Sequence, residues 1–251
     1  MSTQGSFWRN LTQKAVDKLG LDLVHIQTRY GKVLLDSVES DSYWLDIGCG
    51  RQLFPSWAMP SQDIQKIVVT PKRIVGIDFD NAILDHPHIH DRTIGSGYTL
   101  PFAANSFHLV TANMVMEHLD QPQTFLAEVA RVLKPGGKFV FVTPNKYSPM
   151  IQLAYLIPDG PKKRLIWFIE RRHADDVFPT YYRANRLGDL EEHSRRVGLA
   201  VHRLHYVNSI ATLTRLGPIG FFESLFMGCL PKDRRTNILG VLEKPLRPAS
   251  A

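Results

Sequence analysis

Two short stretches of the chain carry residue types that could do chemistry. The first, Asp46-Ile47-Gly48-Cys49-Gly50, closes the apolar run Tyr43-Trp44-Leu45 with an acid and two spaced glycines. Such a run reads as a buried strand opening into a tight turn where backbone comes close to a ligand. Gly48 and Gly50 lack Cβ atoms, so a nucleotide-like group can sit against main-chain N–H groups, while Asp46 offers a carboxylate to amine or hydroxyl donors. A plain tight turn is the alternative reading. The second stretch, Arg73-Ile74-Val75-Gly76-Ile77-Asp78, also ends on an acid. In a dinucleotide-type fold that acid accepts hydrogen bonds from ribose hydroxyls; otherwise it is a strand-end or turn carboxylate.

The elements that must position these residues follow from periodicity and breakers. Tyr43 to Ile47 and Arg73 to Asp78 are expected strands, with further strands near Arg92–Gly95, Phe107–Ala112 and Lys138–Thr143. Between Phe7 and Leu35 apolar residues recur at helical spacing, with Gly20 and Gly31 as interruptions. Pro55, Pro60 and Pro71 forbid one long helix after the glycine turn and leave room for short turns at Phe54–Met59 and Gln62–Val68. Asp120 is the expected N-cap of a helix with Pro122 in its first turn and Phe125, Leu126, Val129, Val132 and Leu133 on one face. Lys134-Pro135-Gly136-Gly137 is expected to end it. Strand, crossover helix and strand in repetition imply an α/β fold with a parallel sheet.

Composition excludes several classes. Of 251 residues, 44% are hydrophobic and 22% charged, as in a soluble globular protein of one α/β domain. No apolar run is long enough to span a bilayer, and the polar start lacks a signal core, so a cytoplasmic location is expected. Cys49 and Cys229 form no CxxC pair, which argues against a disulfide framework and leaves no metal site in view. A net charge of +6 permits an anionic partner, but a basic surface without one is the plainer reading, and charge is the sole argument for nucleic acid.

The ordered succession Leu45-Asp46-Ile47-Gly48-Cys49-Gly50, Val75-Gly76-Ile77-Asp78, Leu100-Pro101-Phe102 with Asn105-Ser106-Phe107, Glu117-His118-Leu119, and Arg131-Val132-Leu133-Lys134-Pro135-Gly136-Gly137 resembles the class I S-adenosylmethionine-dependent methyltransferases, type 11 group. The resemblance covers about Trp44 to Pro144. It implies a Rossmann-like seven-stranded, mostly parallel sheet with a terminal antiparallel hairpin, helices on both faces and a lid insertion. The hairpin candidates are Ala200–Val207 and Asn237–Glu243. It implies S-adenosyl-L-methionine as cofactor, with Asp46, Gly48, Cys49 and Gly50 at the methionine end, Asp78 on the ribose, Phe79 against the adenine and Asn113 near the transferable methyl. Gln52 stands where relatives commonly have a third glycine, Ser96-Gly97 where an acid often reads the adenine amine, and His108 where an acid is frequent. The loop between Asp46 and Asp78 is longer than usual in the family.

The remaining third is expected to recognise the acceptor. The chain then divides into a helical lead-in (1–42), a cofactor-binding half (43–144), a lid insertion (145–198) and a C-terminal hairpin region (199–251). The insertion interleaves Tyr147, Tyr155, Trp167, Phe168, Tyr181 and Tyr182 with Lys162, Lys163, Arg164, Arg171, Arg172 and Arg183. This suits a small-molecule, saccharide or lipid-linked acceptor, with Tyr147, Tyr181, Tyr182 and Arg183 as binding candidates; a helical cap core would use the same aromatics. For an oxygen nucleophile His118 is the leading base candidate, against a helix-start histidine, with His173, Tyr181 and Tyr182 as weaker ones. The apolar stretch Leu216–Leu230 reads as buried packing, a lid, a dimer contact or a peripheral membrane contact. Two further function classes stay open: a methyltransferase-fold protein without turnover that serves as a scaffold, and an RNA-methylating enzyme.

Overall fold

The computed structural model describes residues 11–12, 14–22, 24–156, 179–209 and 218–246, without the side chains of 154–156. The expected lid positions Trp167, Phe168, Lys162, Lys163, Arg164, Arg171, Arg172 and His173 lie outside the described residues, as do Leu216, Gly217 and the Tyr155 side chain. Seven strands, β1 (Tyr43–Ile47), β2 (Arg73–Asp78), β3 (Asp91–Ile94), β4 (Phe107–Asn113), β5 (Leu133–Pro144), β6 (Ala200–Val207) and β7 (Asn237–Glu243), form one sheet in the order β3-β2-β1-β4-β5-β7-β6. The pairs β1·β2, β1·β4, β2·β3 and β4·β5 are parallel. The terminal strands run antiparallel, as expected. The strand order reverses between β1 and β4, which is where open α/β sheets place a ligand crevice.

Helices among the described residues include α1 (Ile26–Ser37), α2 (Ser61–Val69), α3 (Pro122–Val132), α4 (Pro149–Leu156), α5 (Leu187–Arg196) and α6 (Pro218–Gly228). Alternation in β1 and β4 gives way to continuous burial because both sheet faces are covered: Trp44, Leu45, Leu109, Val110, Phe139 and Phe141 are all in the core. None of the described helices is long and apolar enough to cross a membrane.

Three local expectations are corrected. Gly31 does not interrupt a helix; it lies inside α1, where a Cβ would come within 2.4 Å of the Met59 sulfur, so its smallness serves close packing. Asp120 is not an N-cap. Gln121 holds that position without a side-chain bond, because the Asp120 carboxylate is taken by the Tyr98 hydroxyl at 2.7 Å. Lys134 to Gly137 do not separate α3 from β5, since β5 starts at Leu133 directly after the helix. They form a bulge within it: Phe107 pairs with Leu133 and Leu109 already with Lys138, and Gly136 adopts φ 79°.

Two clusters show what the motifs do for the fold. Arg131 grips the Glu128 carboxylate on its own helix and donates to the carbonyls of Phe102 (2.7 Å) and Leu100 (2.9 Å), so the Leu-Pro-Phe stretch is clamped to α3. Arg131→Lys loses the fork and should cost about 1–2 kcal/mol, read as a lower melting temperature with an unchanged far-UV spectrum. Gly240 in β7 faces Phe141, whose ring would lie 2.2 Å from an added Cβ and is stacked on Phe139. Gly240→Ala should cost about 1–3 kcal/mol by overpacking, and Phe141→Leu in the same chain should restore part of it in a denaturant titration.

The contacts group the chain into two compact units. One is built from Gln27–Thr143, Thr180–His205 and Ile238–Ala251 and holds the body of the sheet. The other draws on Met1–Ile26, Pro144–Pro179 and Tyr206–Asn237. In its described part Val16 and Met227 form a small apolar cluster with Leu21, Met150 and Leu230.

Candidate functional site

The carboxyl ends of β1, β2 and β4 converge on the glycine turn. Gly48 and Gly50 take φ of 67° and 53°, the left-handed region that glycine alone enters freely. Their N–H groups do not await a ligand: Gly48 donates to the Ile77 carbonyl at 2.8 Å and Gly50 to Asp78 Oδ2 at 2.8 Å. What the turn offers is therefore close approach and carbonyl oxygens. Asp78 Oδ1 accepts the Asp80 N–H at 2.9 Å, so each oxygen keeps a lone pair for a hydroxyl donor. Cys49 is buried against Gly76, and burial followed by the Asp46 and Asp78 carboxylates pushes its thiol far up, which makes it a packing residue and no nucleophile.

Asp46 is buried at the end of β1. Desolvation raises its carboxyl to about 7; the Thr111 hydroxyl bond works downward and the Asp78 charge upward. Thr111 in β4 is the hub of this cluster. It donates to Asp46, accepts the Trp44 indole N–H at 2.7 Å and lies close to the Tyr30 phenol on α1. Tyr30 is fully enclosed, and burial, then Asp46, hold its phenol well above the usual range. Sequence reasoning missed this network, although a threonine inside the apolar run of β4 was a signal.

At the tip of β4, Asn113 is locked. Its amide and that of Gln27 exchange hydrogen bonds at 3.0 and 2.9 Å, and it also donates to the Leu53 carbonyl at 3.3 Å. Thr28 donates to the Ala58 carbonyl at 2.6 Å, so α1 ties down the proline-rich loop that follows the turn. Met114 comes next with φ 60°, uncommon for a non-glycine residue, and a Cβ on Gly48 would meet Val115 Cγ2 at 2.5 Å. Gln27 and Met114 carried no sequence signal.

The loop after β3 closes the opposite side. Gly95 donates to the Asp78 carbonyl at 2.9 Å, Ser96 Oγ accepts the Tyr98 N–H at 3.2 Å, and Gly97 sits where a Cβ would strike the Phe125 ring at 2.8 Å. Gly97 is thus required by packing. Phe79, next to Asp78, is 62% exposed.

His118 ends the short turn Met116–His118 after β4 and is half-buried. The Glu117 carbonyl accepts the N–H groups of Tyr181 (2.8 Å) and Tyr182 (3.2 Å), and Arg183 donates to the Asp120 carbonyl at 2.8 Å while stacking over Tyr181. The Glu117 carboxylate accepts the Thr143 hydroxyl at 3.0 Å, which anchors the turn to β5. Four predicted residues, His118, Tyr181, Tyr182 and Arg183, are therefore gathered along one turn. Tyr147 lies in the other unit, beside Arg234.

Comparison with known proteins agrees with this architecture. A family model described as a methyltransferase domain matches residues 45–141. A Mycolicibacterium smegmatis protein named as a probable S-adenosylmethionine-dependent methyltransferase is 32% identical over 112 residues, 42% of this chain and 40% of its own length. The chain thus spans less than half of that relative. The ubiquinone biosynthesis O-methyltransferase of Nitrosococcus oceani is 26% identical over 191 residues, 69% of this chain and 70% of its own. The methyltransferase solved in complex with the Haloferax volcanii Trm112 activator superposes with a TM-score of 0.56 at 17% identity, covering 94% of each chain, which speaks to fold alone. Together with the glycine turn between two acids at the switch point, these matches show that residues 45–141 are similar to the methyltransferase domain of S-adenosylmethionine-dependent enzymes.

Proposed function

We propose that the protein transfers a methyl group from S-adenosyl-L-methionine to an oxygen of a small-molecule, saccharide or lipid-linked acceptor. The observation that carries this reading is the pair of acids, Asp46 and Asp78, at adjoining strand ends with the glycine turn between them. When bound, the cofactor supplies an electrophilic methyl on a cationic sulfonium. A buried carboxyl raised to about 7 fits a cationic partner, because a positive charge would restore its ionised form. Asp46 and the turn carbonyls would hold the methionine end, Asp78 the ribose hydroxyls, and the exposed Phe79 face with the Ser96-Gly97 loop the adenine. Asn113, fixed by Gln27, would border the methyl. His118 is the candidate base, with Tyr181, Tyr182 and Arg183 forming the acceptor side. The name of the Nitrosococcus relative supports an oxygen acceptor on a lipid-like ring.

Calorimetry with S-adenosylmethionine and S-adenosylhomocysteine tests the cofactor, and transfer of labelled methyl to a panel of phenols, saccharides and lipid-linked acceptors tests the reaction. Folded protein that binds neither compound overturns the reading. Binding without transfer to any acceptor would favour the scaffold alternative, for which the Ser96 hydroxyl, a poorer acceptor than a carboxylate, is the specific observation.

A further inference from the structure

The unit that draws on Pro144–Pro179 and Tyr206–Asn237 has an exposed apolar helix side of its own. α6, Pro218–Gly228, turns Gly220, Ser224 and Met227 inward, with Gly228 closing against Leu21. Its opposite side carries Ile219, Phe222 and Phe226, exposed by 56%, 67% and 53%. These positions are three and four apart, so they form one stripe along the helix. α4, Pro149–Leu156, contains no charged residue, shares the cluster of Met150 with Met227, and leaves Leu153 55% exposed. A water-facing helix side is normally polar; here two charge-poor helices that share one cluster leave aliphatic and aromatic side chains in solvent.

Cations gather where α6 has ended and α4 is about to begin. Asn145 donates to the carbonyls of Asp233 (2.9 Å) and Arg235 (2.7 Å), which fastens the segment after α6 onto the one before α4. Lys146, Lys232, Arg234 and Arg235 are thereby brought near one another, with Asp233 as the acid among them. The Arg234 guanidinium lies over the Tyr147 ring at 5.8 Å, keeping its charge at the surface. Exposed aromatic and aliphatic side chains beside a cluster of Lys and Arg match the two layers of an anionic membrane surface, acyl chains below and phosphates above. A helix of 11 residues is too short to span a bilayer but sufficient to lie in its interface.

We propose that the α4/α6 face docks this protein onto an anionic lipid bilayer, with Phe222 and Phe226 inserted at the headgroup boundary and the Lys232 and Arg234 region on the phosphates. The inference does not depend on the cofactor reading. Sedimentation with phosphatidylcholine vesicles, with and without phosphatidylglycerol, tests it. Wild-type protein should partition at least about tenfold better onto the anionic vesicles, and added salt should reduce that preference. The double variant Phe222→Ser/Phe226→Ser should lose at least about tenfold of the binding while keeping the wild-type far-UV spectrum and a cooperative melt, since both rings are more than half exposed. Lys232→Glu/Arg234→Glu should abolish the preference for anionic lipid. Failure of the wild type to sediment, or binding undiminished in the phenylalanine variant, overturns the proposal. So does sedimentation velocity showing a wild-type dimer that this variant dissociates, which would assign the face to a second copy of the chain.

Discussion

Asp46→Asn will weaken S-adenosylmethionine binding by roughly 30- to 100-fold and, at the same time, raise the melting temperature of the unliganded protein at alkaline pH. Both effects come from one buried carboxyl. Its folded-state value of about 7 exceeds the ordinary 3.8, so the folded chain holds a proton that the unfolded chain has released. Stability from this group is therefore fully present below about pH 4 and is lost as pH rises toward and through 7, a loss of roughly 4 kcal/mol at most. Asparagine keeps the shape and the acceptor for Thr111 but never ionises. The variant should match the wild type near pH 4 and melt several degrees above it at pH 8. Cofactor affinity has the opposite sense in the wild type: a cation binds the ionised carboxylate, so the dissociation constant should fall between pH 6 and 8 and flatten above. Calorimetry across that range checks both chains. A variant that binds as tightly as wild type, with the same pH profile, would remove Asp46 from the site.

Gly48→Ala should destabilise the fold by roughly 2–4 kcal/mol and abolish measurable cofactor binding, whereas Gly50→Ala should cost only about 1 kcal/mol in stability. The two glycines share the sign of φ, 67° and 53°, so both substitutions carry the left-handed penalty. They differ in their surroundings. An added Cβ at Gly48 would come within 2.5 Å of Val115 Cγ2, while nothing lies within 4 Å of one at Gly50. Val115→Ala should therefore recover the steric part of the Gly48→Ala loss and leave the backbone part. Equal denaturation midpoints for the two glycine variants would show that the turn adapts where the packing says it cannot.

Much of the sheet was legible because its strands are written in runs of apolar residues with sharp ends. Tyr43–Ile47, Arg73–Asp78, Ala200–Val207 and Asn237–Glu243 occupy the expected limits. The places where expectation failed share a cause. Gly31 was read by backbone propensity, yet the close approach of Met59 decided its role; Asp120 was read as a cap, yet the Tyr98 hydroxyl, 22 residues away, claimed its carboxylate. Lys134 to Gly137 were read as a helix end, yet pairing with β4 absorbed them as a bulge.

For the candidate site the division is similar. The amino-acid sequence alone determined the α/β class, the strand ends, the acids Asp46 and Asp78 and the glycines between them, because these depend on local pattern and on chemistry at fixed spacing. Tertiary structure alone decided how those groups are charged and held: Thr111, Trp44 and Tyr30 around Asp46, Gln27 on Asn113, and Asp78 on the Gly50 amide. Partners such as Gln27 and Asn113 are 86 positions apart, and no periodicity joins them. Burial and hydrogen bonding between distant segments set the protonation and the geometry of a site, and both come into being only when the chain has folded.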